Sequence, residues 1–165
     1  MSNLCAQKVH KSSESGQTSV GIGLGLSYGA LGLKISNNVF TNTSLFAGFG
    51  YHVVSLGYNF GVQYSIPTEG QVEVYLNGMY GTNAIVKIIG LPEYDNIYRG
   101  PSFGFGIKLN SNQKEGNYWD LGLIIPVTSS EFKQSVEDIE NDSRVAEFTK
   151  ASPVLINIGY NFSFN

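Results

Sequence analysis

The chain has 165 residues, of which 14% are charged and 13% aromatic, with 20 glycines and a net charge of −3. That length suits one domain, but the charge is well below the ~25% of an ordinary soluble domain and the glycine well above the usual ~7%. No Lys/Arg run offers a nucleic-acid surface, and no apolar stretch nears the ~18 residues of a membrane helix, so any bilayer crossing must use strands.

Residues 1–17 carry no strand pattern. MSNLCAQK lacks the cationic start and long apolar core of a complete signal peptide. It reads either as the remnant of one, with Leu4-Cys5-Ala6 before a cut at Gln7, or as a plain disordered tail. KVHKSSESGQ (8–17) is a polar, flexible lead-in.

From residue 18 to 165 apolar residues recur at every second position, the mark of strands with unlike surroundings on their two faces. The first strand, about 18–28, sets Val20, Ile22, Leu24 and Leu26 against Gly21, Gly23 and Gly25. After a YGALG turn, Leu31, Leu33 and Ile35 oppose Gly32, Lys34 and Ser36; NNVFTNTS reads as the next turn. In the third, Leu45, Ala47, Phe49 and Tyr51 oppose Phe46, Gly48, Gly50 and His52. In the fourth, Leu56, Tyr58, Phe60, Val62 and Tyr64 oppose Ser55, Gly57, Asn59, Gly61 and Gln63. Past IPTEGQ, Val72, Val74, Leu76 and Tyr80 oppose Glu73, Tyr75, Asn77 and Met79. The sixth sets Pro101, Phe103, Phe105, Ile107 and Leu109 against Ser102, Gly104, Gly106 and Lys108. After NSNQKEGN, Trp119, Leu121, Leu123 and Ile125 oppose Asp120 and Gly122, with Ile124 an exception. The last strand sets Val154, Ile156, Ile158, Tyr160, Phe162 and Phe164 against Asn157, Gly159, Asn161 and Ser163. Each spans about ten residues, the ~9–11 of a tilted membrane strand, and the whole reads as an all-β, eight-stranded antiparallel up-and-down transmembrane β-barrel.

Two architectures share this alternation. A soluble lipocalin-like barrel turns its apolar face inward around a ligand; a membrane barrel turns it to lipid. The minor face decides between them, because it is built of Gly, Ser, Asn and Gln and holds most of the 20 glycines. Glycine on a watered strand surface weakens the strand without return, whereas glycine facing the narrow interior of an eight-stranded barrel leaves room for the other side chains. The minor face also carries Lys34, Glu73, Lys108 and Asp120, two of each sign, which a closed lumen would have to pair. Glu73 with Lys108, on adjacent strands, is the expected pair. Tyr28, Tyr51, Tyr58, Tyr80 and Tyr98 fall at one set of strand ends, and Tyr64, Trp119 and Phe162 at the other, as two aromatic girdles would.

The motifs GIGLGLSYGALGL, GYNFGVQYS, YRGPSFGFGIKL, NYWDLGLIIPV and the terminal INIGYNFSF give residues 18–165 a resemblance to the small outer-membrane β-barrels of Gram-negative bacteria. The chain is similar in size to OmpX and the OmpA membrane domain and looks most like the single-barrel proteins common in Bacteroidetes. The resemblance implies a bacterial outer-membrane location, lipid and lipopolysaccharide as surroundings, and a barrel-assembly machinery that reads a terminal aromatic. Here Phe164 is penultimate and Asn165 last, so Phe164 or Phe162 is the candidate signal.

An even strand count puts both termini on one side, the periplasm. Long outward connections then fall at 82–97 and 127–152, where a specific role such as binding an extracellular protein partner would reside. NAIVKIIG (83–90) either extends its strand above the membrane, exposing an edge for strand addition, or packs over the barrel mouth. Phe132, Val136 and Ile139 have helical spacing, with Ser129 or Ser130 as cap. Glu137, Asp138, Glu140 and Asp142 lack a Ca²⁺-loop spacing and read as a solvated acidic face. His52 lies near Ser55 in sequence, but a girdle or lumen histidine is the simpler reading than a catalytic one. With no phosphate loop, metal cluster or nucleophile elbow, neither an enzyme nor a cofactor is expected. The function that follows is a closed barrel with a structural, adhesive or interaction role; a narrow solute pore and a soluble lipocalin-like carrier are the alternatives.

Overall fold

The computed structural model describes residues 15–52, 55–68, 70–86, 95–112, 114, 116–142 and 152–164. The readings of Cys5, of residues 1–14, of Asn165 and of much of the two long connections (87–94 and 143–151) lie outside them. Eight antiparallel strands close into one up-and-down barrel in sequence order, the last pairing with the first. They are β1 (Thr18–Gly25), β2 (Ala30–Phe40), β3 (Thr43–Tyr51), β4 (Leu56–Ile66), β5 (Val72–Val86), β6 (Asn96–Asn110), β7 (Tyr118–Pro126) and β8 (Leu155–Phe164). Closure leaves the barrel wall no free edge, and period-two alternation turns one face of every strand outward.

The outward face is the apolar one. Leu56 is 78% exposed, Ile156 72% and Phe49 60%, while Lys34 and Asp120, pointing inward, are each 1% exposed. Along β4 the outward residues run from Leu56 to Ile66, about 33 Å of strand, or about 25 Å along the axis at the ~40° tilt usual for such barrels. That is the height of a bilayer's apolar band.

Three expectations need correction, the first because a strand breaks early and the others because strands run longer than expected. Leu26 and Tyr28, placed outward by parity, are inside. β1 stops at Gly25, whose φ of 116° breaks the alternation, and Leu26–Tyr28 forms a single 3-10 turn folded into the lumen. Gly29, at φ 69°, lets the chain turn back into β2. The turn expected over NNVFTNTS shrinks to Thr41–Asn42, since β2 runs to Phe40 and Asn42 adopts a φ of 65°. Residues 82–86 and 96–97, inside the long connection expected at 82–97, are strand, because β5 and β6 each run 15 residues; of the two readings of NAIVKIIG, the one that extends its strand holds as far as Val86.

β4 pairs with β5 only as far as Gly81, and β7 with β6 only as far as Ser102. The tip of the β5–β6 hairpin therefore rises beyond its neighbours. A bulge between Thr82 and Ala84 shifts the phase of β5, so that Ala84 pairs with Tyr98 and faces the same side. On that side packs helix α1 (Ser130–Asn141), capped by the Ser129 hydroxyl accepting from the Phe132 amide at 3.2 Å. Val86, Tyr98, Phe132 and Ile139 form its buried seam, flanked by Ala84 and Val136. Apolar residues at 132, 136 and 139 thus meet the hairpin, and Glu131, Glu137 and Asp138 stay exposed.

Candidate functional site

The lumen is built from inward residues of all eight strands and from the folded-in turn. At its centre Asp120 of β7 accepts hydrogen bonds from three groups: the Lys34 ammonium of β2, Tyr28 Oη at 3.0 Å, and Tyr75 Oη of β5 at 2.5 Å. Asn161 Nδ2 of β8 donates to Tyr28 Oη at 2.9 Å. The Lys34 ammonium also lies 4.9 Å from the Tyr28 ring centroid. Lys34 and Asp120 stand on non-adjacent strands, so their contact ties separate walls together.

The glycines explain how two tyrosines fit. A Cβ on Gly159 would lie 2.3 Å from Tyr28 Cζ, and one on Gly122 would lie 2.4 Å from Tyr75 Oη. The hydroxyl end of each tyrosine thus sits against bare backbone, in space that a side chain would occupy.

Nearer the termini, Glu73 and Lys108, directly opposed on β5 and β6, meet at 2.8 Å. Lys108 also donates to Ser65 Oγ at 2.8 Å and lies 5.3 Å from the Tyr118 ring centroid. Tyr118 reaches Ser19 at 3.2 Å, and Ser19 reaches Ser36 at 2.7 Å. The four lumen charges thus resolve into two pairs. Toward the other end, Leu26, Phe46, Met79 and Ile124 cluster inside, with Leu155 against them. Ile124, an apolar residue on the polar parity, belongs to this plug.

Of the aromatic positions, Tyr51, Tyr58 and Tyr80 are exposed on the outer wall toward the helix end, and Tyr64, Trp119 and Phe162 toward the termini. Trp119, Tyr160 and Phe162 form an edge-to-face row, with ring centroids 5.1 and 4.9 Å apart. Tyr28 and Tyr98 leave the girdle. Tyr28 is fully buried under Asp120. Tyr98 lies under α1, 5.2 Å from the Phe132 ring, and donates to Ser135 Oγ at 2.6 Å. Its even number, shared with inward Ser102 and Gly104, is the sequence signal for that placement. Phe164 is exposed in the final pair of β8, opposite Thr18.

Tyr75, Tyr118 and Asn161 are lumen residues that the charge pattern alone did not single out, although all three sit on the inward parity. Nothing comparable marks Tyr28 beyond the glycine before its turn.

His52 and Ser55 meet through their backbones, amide to carbonyl in both directions, at 2.8 and 3.1 Å. Their side chains diverge: the Ser55 hydroxyl donates to the Leu56 carbonyl at 3.4 Å, and His52 Nε2 is buried without a hydrogen-bond partner. Burial holds the His52 imidazole below its usual pKa. Among the described residues no three His, Cys, Asp or Glu gather as metal ligands, and no helix is long and apolar enough to cross a membrane.

Comparison with protein-family models, with curated proteins and with solved structures finds no match to this chain.

Proposed function

We propose that the chain is an integral outer-membrane β-barrel with a closed lumen, acting through the structures at its outer end in a structural, adhesive or interaction role. One observation carries the reading: large apolar side chains cover the outer wall, while Lys34, Glu73, Lys108 and Asp120 are buried within. In water that arrangement would expose apolar area far beyond the few hundred Å² a soluble surface tolerates. In a bilayer the same wall meets lipid, and the closed ladder satisfies the backbone without water.

The rival readings ask for other interiors. A lipocalin-like carrier keeps an apolar chamber inside, but this interior holds two ion pairs and their tyrosine donors. A solute pore needs an open passage, but here the Lys34–Asp120 cluster spans the lumen beside the apolar plug. The tip of the β5–β6 hairpin and α1 form the one folded structure described beyond the barrel rim, which makes them the surface for an extracellular protein partner. Neither a catalytic role nor a cofactor is part of this proposal.

The test is fractionation followed by gel migration with and without boiling. The protein should travel with the outer membrane and change mobility on heating; a soluble protein whose mobility ignores heating would overturn the reading. Leu123→Arg, outward in mid-wall, should cost about 2–4 kcal/mol of stability or block insertion.

A further inference from the structure

Among the charged residues of the described strands, Lys34, Glu73, Lys108 and Asp120 face inward and Arg99 alone faces out. Arg99 lies on β6 near the helix end, opposite Thr82, and its guanidinium carbon is 5.4 Å from the centroid of the Tyr58 ring. No carboxylate among the described residues pairs with it. A ring face answers part of a guanidinium's charge but none of its five N–H donors.

Below this cation the outer wall has a dent. Gly78 occupies an outward position on β5 between Leu76 and Tyr80, where its neighbours carry large side chains. An open groove of about 400 Å³ lies there, walled by Leu45, Phe60, Val62 and Tyr80. Phe60 and Tyr80 pack at 6.0 Å on its outer side, and Tyr58 is the next outward residue of β4 beyond Phe60. From Val62 to Tyr58 is four residues, about 13 Å of strand. The wall thus offers an apolar trough that leads up to a fork-shaped cation with no carboxylate partner among the described residues.

We propose that this trough and Arg99 form a site for a single anionic phospholipid, with an acyl chain lying in the groove at Gly78 and the phosphate, its charge uncompensated within the headgroup, accepting from Arg99. The proposal rests on the membrane reading above. Charge complementarity sets the occupant: a planar guanidinium matches two phosphate oxygens at once, and its height at the outer end of the wall is that of a headgroup. Tyr58 holds the guanidinium in place, while the missing side chain at Gly78 sets where the chain lies. A neutral zwitterionic lipid would fill the groove but answer the cation less well.

Two variants separate the two halves of the site. A Cβ at Gly78 would meet nothing closer than the Phe103 ring, at 3.7 Å, so Gly78→Leu fills the groove without forcing the backbone. Arg99→Gln removes the cation from an exposed position. The full chain, purified in detergent, is titrated with phosphatidylglycerol or with phosphatidylcholine of the same chains, and native mass spectrometry reads occupancy of the first bound lipid. The wild type should bind phosphatidylglycerol about fivefold more tightly than phosphatidylcholine, the effect of one basic residue at a membrane surface. Arg99→Gln should erase that preference, and Gly78→Leu should weaken both lipids alike. Equal affinities in the wild type, or a preference that survives Arg99→Gln, would overturn the site, as would unchanged binding in Gly78→Leu. Insertion into plain phosphatidylcholine vesicles, read by the heat-dependent gel shift, is measured in parallel. Insertion without lipid preference defeats the site alone; failure of the wild type to insert defeats the membrane reading and the site together.

Discussion

The two ion pairs of the lumen look alike in composition and differ in what they connect. Glu73 and Lys108 face each other across one rung of adjacent strands, near the termini, with side chains still 11% and 6% exposed. Lys34 and Asp120 come from β2 and β7, which are not neighbours in the sheet, and both are 1% exposed. The first pair reinforces a ladder that backbone hydrogen bonds already hold. The second draws together strands that no ladder joins, and it recruits Tyr28 from the folded-in turn and Tyr75 from β5 as further donors. A buried charge stripped of its partner costs more than the pair is worth, and the cost grows with burial. The central pair should therefore dominate the stability of the barrel, and the peripheral pair should behave as a local staple.

The sharpest break of that comparison is Asp120→Ala. It strands the Lys34 ammonium and two tyrosine hydroxyls in a water-poor interior, and should cost about 3–5 kcal/mol in urea unfolding from vesicles. Lys34→Met with Asp120→Leu should recover the part of the loss due to the stranded ammonium, while the Tyr28 and Tyr75 hydroxyls still lack their acceptor. Glu73→Ala should cost less, about 1–3 kcal/mol, because Ser65 and the nearby lumen end still serve Lys108. Adding Lys108→Ala should restore part of it, and a double-mutant cycle without coupling would show that the peripheral pair is not a unit. If Glu73→Ala proved costlier than Asp120→Ala, the ranking by burial would be wrong.

Tyr28→Phe removes one donor to Asp120 and keeps the ring against Gly159, so it should cost about 1 kcal/mol. A null result would mean that packing alone holds the inward turn. The smallest effect belongs to His52, outside the strands. Its folded pKa lies below the unfolded value, so the unfolded chain binds more protons as pH falls, and stability drops through the ordinary imidazole range. His52→Gln should flatten that part of the stability profile relative to wild type, and parallel profiles would remove His52 as the cause.

Eight strands, their facing and the adjacent Glu73–Lys108 rung were all legible, because each depends on parity or on neighbouring strands, which one sequence contains. The capped helix was legible too, through Ser129 and the spacing of Phe132, Val136 and Ile139. What escaped follows from departures from parity. Gly25 breaks β1, and with that break Leu26 and Tyr28 pass from the outer wall to the lumen. The bulge at Thr82–Ala84 turns Ala84 to the side of Tyr98, where α1 packs, while Tyr98 itself keeps the inward parity of Ser102 and Gly104. The Lys34–Asp120 contact could not be read from neighbours at all, since it depends on the diameter of the closed barrel and on Tyr28 folding inward. Tyr75 and Tyr118 were legible as inward aromatics, but their partners were not.

The central claim is that the apolar parity faces lipid and the charged parity faces a closed interior. It is tested most directly by spin-label accessibility at position 123. A Cys5→Ser, Leu123→Cys protein, labelled with a nitroxide and reconstituted in vesicles, should collide freely with oxygen dissolved in the bilayer and scarcely with a water-soluble nickel chelate. A label at 123 that meets the nickel chelate more readily than oxygen would place the apolar wall in water and contradict the account.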